Sequence, residues 1–160
     1  DVLELLDGAE TRLVTLTGPG GVGKTRLALA VARRAERGFA DGVAFLPLAA
    51  TNDTDMIVPA LAQELQVDPA GRRQPVEQLA DTLVGRHLLL VLDNVEHLLS
   101  EPPAWLVVLL ERCPRLKVLV TSRVALNISG EHRYLVSPLP VVAIEDGEQP
   151  AAVELFAHRA

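Results

Sequence analysis

A glycine-rich octapeptide, GPGGVGKT at residues 18–25, is the feature that most constrains the fold of this chain. It follows LVTLT at residues 13–17, a run of β-branched and apolar side chains that predicts a strand. The residues after it repeat apolar side chains every three to four positions, which predicts a helix over residues 24–37. The octapeptide therefore joins the end of a strand to the start of a helix.

Strand and helix patterns alternate along the rest of the chain. A short helical segment ends at Asp7. Further strands are predicted at residues 43–48, 87–93, 116–122 and 133–139, and further helices at 54–66, 75–85 and about 103–113. The strand at 87–93 is apolar on both faces, which is typical of a central position, whereas Pro47 favours an edge. We expect an α/β fold in three layers, with a mostly parallel five-stranded sheet and helices on both faces.

The octapeptide matches the phosphate-loop pattern G-x-x-x-x-G-K-[ST] in full. Its glycines allow successive backbone N–H groups to face an anion at the positive end of the following helix. We expect Lys24 on the β- and γ-phosphates of a nucleotide and Thr25 at a magnesium ion. The predicted nucleotide contacts are Gly18, Pro19, Gly20, Gly21, Val22, Gly23, Lys24, Thr25 and Arg26. The alternative, a glycine-rich turn with an incidental lysine, does not explain the complete pattern.

Asp93, at the end of the apolar run, is the predicted second ligand of magnesium, opposite Thr25. The next position, where many nucleotide hydrolases keep a second carboxylate as base, is Asn94. Asparagine holds a water molecule but accepts no proton, so we expect slow hydrolysis. Glu96 is the nearest substitute, because it shares a face with Asp93 if the chain turns helical there. A solvated or helix-capping glutamate is the alternative.

Arg123 ends VLVTSR, directly after the fourth predicted strand. One large division of phosphate-loop proteins has an extra strand between the loop strand and the carboxylate strand, which favours the sheet order 5-1-4-3-2. That order places Thr121, Ser122 and Arg123 at the carboxyl edge of the sheet, facing the γ-phosphate, whereas a solvated surface arginine is the alternative for Arg123. The predicted catalytic residues are thus Lys24, Asp93, Arg123 and Glu96.

Several segments, taken in order, resemble the nucleotide-binding domain of the STAND ATPases. They are LVTLTGPGGVGKTRLALAVA (13–32), LLLVLDNVEHLL (88–99), RCPRLKVLVTSR (112–123) and a Gly-Glu turn before YLVSPL (134–139). Within that class the chain resembles the NB-ARC-like domain of bacterial AfsR- and LuxR-type transcriptional regulators. The resemblance extends from about residue 11 to residue 160.

The resemblance implies a signal-transduction switch that binds ATP or ADP with Mg²⁺ and hydrolyses ATP slowly. It implies helical, winged-helix and repeat domains downstream in the same full-length protein, and it leaves ATP-dependent self-association open. Residues 1–140 are expected to form the nucleotide-binding domain, and residues 141–160 a linker and the first helix of a truncated helical domain. In the family, the arginine that matches Arg123 senses the γ-phosphate.

Composition excludes several partners. The net charge of -6 argues against a phosphate-binding surface for nucleic acid on this domain. Cys113 is the single cysteine, which excludes an intrachain disulfide. The longest strictly apolar run, at 104–110, is too short to span a membrane, so we expect no membrane contact and a cytoplasmic location.

Three other functions are weaker alternatives. An ATPase motor acting on nucleic acid would need basic or aromatic contacts, which the chain lacks. A small-molecule kinase would need an arginine-bearing lid, and the candidate is VDPAGRRQ at 67–74, with Arg72 and Arg73. A GTPase would read guanine with N-K-x-D, but Lys117, the one lysine besides Lys24, lies inside the fourth predicted strand.

Overall fold

The computed structural model describes residues 1–51, 53–67, 74–96 and 103–138. The helices are α1 (Val2–Asp7), α2 (Lys24–Ala35), α3 (Ile57–Glu64), α4 (Pro75–Leu83) and α5 (Ala104–Arg112). The strands are β1 (Leu13–Thr17), β2 (Val43–Pro47), β3 (Leu89–Asp93), β4 (Lys117–Ser122) and β5 (Glu131–Leu135). The type and order of these elements agree with the sequence prediction. Within these residues, no helix is long and apolar enough to cross a membrane.

The five described strands form one sheet in the order β2-β3-β4-β1-β5, and every neighbouring pair is parallel. This is the predicted order 5-1-4-3-2 read from the opposite edge, so the insertion of β4 between β1 and β3 is confirmed. The strand β2 lies at one edge, as Pro47 indicates. Because parallel strands share a direction, the carboxyl ends of β1, β3 and β4 meet at one edge of the sheet.

Helices cover both faces of the sheet, which gives the predicted three layers. All of β3 is buried. Its Leu90 and Leu92 pack in the core formed with α3, α4 and α5, and its Leu89 and Val91 pack in the core formed with α1 and α2. Burying such a side chain contributes roughly 1.5–3 kcal/mol. The strand that ends at Asp93 is therefore held firmly between two apolar layers.

The strand β5 begins and ends earlier than the sequence predicts. The expected range was 133–139, whereas β5 spans Glu131–Leu135, in register with β1 from Leu13 to Thr17. The pairing stops at Leu135 because β1 ends at Thr17, where the glycine loop begins. Beyond β5, Val136 still donates its N–H to the Thr17 carbonyl at 2.8 Å. The end of the expected range, residue 139, lies outside the described residues.

Glu131 has a carboxylate that organises the loop between β4 and β5. Its side chain is 1% exposed. One oxygen accepts hydrogen bonds from the Thr15 hydroxyl at 2.7 Å and the Leu126 N–H at 2.8 Å. The other accepts from the Asn127 N–H and from Arg133 Nε, both at 3.1 Å. Burial raises the pKa of Glu131, but the hydrogen bonds lower it by more than burial raises it. The pKa therefore lies below the ordinary value of 4.5.

We predict that Glu131→Gln lowers the free energy of unfolding at neutral pH by about 1.5–3 kcal/mol, because a charged acceptor of four hydrogen bonds becomes a neutral amide. The pKa is depressed in the folded state, so the stabilisation is complete above the unfolded-state pKa and is lost as pH falls through the folded-state pKa. Urea denaturation at a series of pH values measures this, and the gap between wild type and variant should narrow below pH 4.5.

The matched control is Glu64→Gln, which removes a carboxylate from an exposed position. We expect this control to stay within about 0.5 kcal/mol of wild type. A deficit for Glu131→Gln that is independent of pH would contradict the assigned role of the charge.

Candidate functional site

The glycine loop, residues 18–23, lies between β1 and α2 at the carboxyl edge of the sheet. Gly18, Gly21 and Gly23 have φ angles of 149°, 78° and 97°, a region that residues with side chains rarely adopt. Gly23 is also the N-cap of α2. The first N–H groups of a helix have no partner within it, and they lie at the positive end of its dipole. The loop therefore leads into a site suited to an anion.

A cavity of about 530 Å³ opens at this end of α2. Its lining residues are Gly20, Gly21, Gly23, Lys24, Thr25, Arg26, Leu29, Asn94, Glu96, Thr121 and Arg123. The cavity thus joins the glycine loop, the first turns of α2 and the chain just after β3 and β4. Three of the predicted nucleotide contacts, Gly18, Pro19 and Val22, are not part of this lining.

Lys24 folds back over the glycine loop. Its ammonium donates hydrogen bonds to the carbonyls of Gly18 and Pro19, both at 2.9 Å. An ammonium has three protons, and these two carbonyls take two of them. The ammonium of this cavity-lining residue therefore has neutral carbonyls as acceptors, which a charged acceptor could replace.

Asp93, Thr25 and Thr121 form a compact oxygen cluster beside the cavity. Asp93 is 8% exposed. Its Oδ1 accepts hydrogen bonds from the Thr25 hydroxyl at 2.7 Å and the Thr121 hydroxyl at 2.5 Å. A hydroxyl and a carboxylate oxygen this close together form a donor set that fits Mg²⁺.

Thr121 is a residue that the sequence placed at the carboxyl edge of the sheet without predicting its contact with Asp93. Besides its bond to Asp93, its hydroxyl accepts a hydrogen bond from the Asn94 N–H at 2.8 Å. The available signal was the insertion of β4 beside β3, which predicts that a hydroxyl at the end of β4 lies next to Asp93. Thr121 therefore fixes both the carboxylate and the chain that follows it.

The chain turns sharply after β3 instead of running straight into a helix. Asn94 has a φ of 66°, in the left-handed region that asparagine tolerates better than most residues. The next residue, Val95, is buried and donates its N–H to the Thr121 carbonyl at 3.2 Å. This turn brings Glu96 to the lining of the cavity. Glu96 thus reaches the site through the left-handed turn at Asn94, so it does not share a continuous helical face with Asp93.

Arg123 and Glu96 form an ion pair, with Arg123 Nε 2.9 Å from Glu96 Oε1. The arginine side chain is 65% exposed and the glutamate side chain 14%. The second oxygen, Glu96 Oε2, is buried and has no hydrogen-bond partner among the described residues. The guanidinium also lies beside the glycine loop, since a Cβ added at Gly20 would be 3.7–3.9 Å from its atoms. The sequence placed both residues near the site but did not predict their pairing.

Two other predicted features involve residues outside the described ranges. The candidate kinase lid, with Arg72 and Arg73, lies outside the described residues, and so does the predicted linker and helix at 141–160.

Comparison with known proteins adds family information to this geometry. Residues 8–134 match the family model AAA_22, an AAA domain. A candidate HTH-type transcriptional regulator of Mycobacterium tuberculosis is 40% identical over 152 residues, which cover 95% of this chain and 16% of that protein. Regulatory protein AfsR of Streptomyces griseus is 30% identical over 139 residues, which cover 81% of this chain and 14% of that protein. The chain thus spans a small part of each relative's length.

A solved structure shares the fold. It is a Signal Transduction ATPase with Numerous Domains (STAND) protein with a tetratricopeptide repeat sensor, from Pyrococcus horikoshii. The TM-score is 0.61 at 17% identity, and the match covers 88% of this chain and 23% of that one. The predicted fold and the predicted relation to AfsR-type regulators are confirmed, whereas the narrower NB-ARC-like assignment stays a prediction.

We predict that Gly18→Ala destabilises the fold by roughly 1–3 kcal/mol, the usual cost of a strained backbone conformation. A Cβ at Gly18 would lie 2.7 Å from the Val136 carbonyl oxygen, at a φ of 149°. The matched control is Gly20→Ala, where the nearest atom would be 3.7 Å away and the backbone is not left-handed. Thermal and urea denaturation of both variants measure the difference. Equal stability of the two variants would mean that Gly18 does not need to be glycine.

Proposed function

Because the chain belongs to the AAA domain family, we propose that it is the ATP- and ADP-binding switch domain of a larger transcriptional regulator, with slow Mg²⁺-dependent hydrolysis of ATP. One observation carries this proposal. The cavity of about 530 Å³ brings Lys24, Thr25 and Arg123 together with the glycine loop. Anion-binding backbone, a lysine and an arginine around one space are what a triphosphate requires.

Lys24 and the glycine loop are proposed to hold the phosphates. A phosphate oxygen carries a full negative charge, so it is a stronger acceptor for the Lys24 ammonium than the neutral carbonyls of Gly18 and Pro19. Gly20 and Gly21 are exposed at the cavity and carry no side chain that would obstruct a phosphate. Arg26 lines the same cavity and adds positive charge.

Thr25 and Asp93 are the residues that would hold Mg²⁺. When bound, the ion supplies positive charge that stabilises the charge on the transferring phosphate. Asp93 is pre-positioned for this role because it ends a fully buried strand and accepts the Thr121 hydrogen bond. The carboxylate therefore needs little rearrangement to serve as a ligand.

Slow hydrolysis is supported by the residues that surround the reacting position. Among the described residues that line the cavity, Glu96 is the one carboxylate, and it is paired with Arg123. Asn94 can hold a water molecule but cannot accept its proton. We therefore propose turnover on the order of 10⁻⁴ to 10⁻² per second, as in unassisted switches, so that hydrolysis acts as a timer.

We also propose that the full-length protein carries further domains. The M. tuberculosis and S. griseus relatives are several times longer than the matched segment, which supports further domains in the full-length protein. We propose that these are helical, winged-helix and repeat domains, and that the helical one begins within residues 141–160. The description of the first relative as a candidate HTH-type regulator supports control of transcription and a cytoplasmic location. The STAND likeness supports an NB-ARC-like switch, with ATP-dependent self-association left open.

We predict that Lys24→Ala abolishes binding of a fluorescent ATP analogue in the presence of Mg²⁺, because the phosphates lose their main neutralising charge. Fluorescence titration measures the loss, and competition with unlabelled ATP and GTP reports the base preference. The matched control is Arg33→Ala, which removes a positive charge from an exposed position of the same helix, outside the cavity lining. A Lys24→Ala variant that binds like wild type would mean that the site is misassigned, and stronger competition by GTP would overturn the adenine assignment.

We predict that Asn94→Asp raises the rate of phosphate release by roughly tenfold or more, because it supplies a proton acceptor beside Asp93. Aspartate, like asparagine, tolerates the left-handed backbone at this position. The matched control is Asn127→Asp, the same substitution at another left-handed residue, with a φ of 57°, away from the cavity. A coupled phosphate assay measures both. Rapid wild-type turnover that neither substitution changes would refute the proposal that slow hydrolysis acts as a timer.

A further inference from the structure

The Arg123–Glu96 ion pair joins two chain segments at the cavity, and only one of the two partners is well exposed. Arg123 reaches solvent with 65% of its side chain, whereas Glu96 keeps 14% exposed. In the part of the chain that the structure describes, Glu96 makes no polar contact other than this pair, and its Oε2 is buried without a hydrogen bond. Among the described residues, the guanidinium is therefore the charge that compensates this carboxylate.

A phosphate could also replace Glu96 as the partner of Arg123. An ion pair with one largely exposed partner is screened by water and is weak compared with a fully buried one. A guanidinium has five N–H donors in a planar fork, and the pair engages the Nε group. A terminal phosphate, with more negative charge than a carboxylate, competes effectively for such a donor. The guanidinium lies beside Gly20 of the glycine loop, so the competitor would arrive close by.

Resting on the proposed function, we propose that Glu96 sets the preference between ADP and ATP by holding Arg123. In this arrangement ATP must share or displace the Arg123–Glu96 pair before its γ-phosphate can bind the guanidinium. ADP carries no γ-phosphate, so it binds without disturbing this pair. Glu96 is thus a positioning residue that acts through Arg123 and biases the domain towards the diphosphate-bound state.

The test is a double-mutant cycle read out as two affinities. Dissociation constants for ADP and for a non-hydrolysable ATP analogue, both with Mg²⁺, are measured calorimetrically for wild type, Glu96→Gln, Arg123→Ala and the double variant. Glu96→Gln should tighten the ATP analogue about three- to tenfold and leave ADP within about twofold, because the weak pair no longer competes. Arg123→Ala should weaken the ATP analogue about tenfold or more, with little effect on ADP.

The double variant decides whether Glu96 acts through Arg123. If it does, the double variant should match Arg123→Ala for both nucleotides, which means that the effect of Glu96 disappears without the arginine. A gain in triphosphate affinity that persists in the double variant would overturn this role, because Glu96 would then act on the phosphate directly. An unchanged ratio of the two affinities in Glu96→Gln would overturn it as well.

These outcomes separate the inference from the proposed function. If wild type binds neither nucleotide, the proposed function itself fails. If wild type binds both and Glu96→Gln leaves their ratio unchanged, only the role of Glu96 fails. Circular dichroism confirms that each variant folds, and Glu96→Ala, with the same expected tightening of the ATP analogue, replaces Glu96→Gln if the latter does not.

Discussion

The parallel pairing of β4 with both β1 and β3 is the constraint on which the site depends. It places the ends of three strands side by side, so that residues far apart in sequence share one edge. The 2.5 Å hydrogen bond from Thr121 to Asp93 exists because of this adjacency. The same pairing sets Arg123, one residue after β4, beside the glycine loop. With another strand in the place of β4, the loop would remain, but neither of these contacts would form.

Much of the fold could be predicted because its signals are local. The apolar run of β3 needs no partner to be recognised as buried, and the periodic apolar face of α2 indicates a helix packed on a sheet. The strand β5 could not be placed correctly from its own residues. Its first residue, Glu131, looks like part of a polar turn, and only the hydrogen bonds from Thr15 and from the preceding loop explain why it begins a strand.

The same difference between local and long-range signals applies to the site residues. Lys24 and Thr25 were predictable because a contiguous octapeptide encodes both the backbone shape and the charged groups. The pairing of Arg123 with Glu96 was not, because it requires the sheet order together with the left-handed turn at Asn94. A sequence pattern records which residues stand near a strand end, but the direction of the chain after that end follows from backbone geometry. The nucleotide and metal roles of these residues stay predictions.

The close approach of Gly18 to Val136 couples the glycine loop to the chain that leaves the sheet after β5. The Val136 N–H is bonded to Thr17, and its carbonyl oxygen occupies the space that a Cβ at Gly18 would need. Close-packed groups transmit displacement because they have no empty space to absorb it. A force that displaces Val136 would therefore also displace Gly18, the first residue of the loop. A change in the shape of the loop would in turn displace Val136.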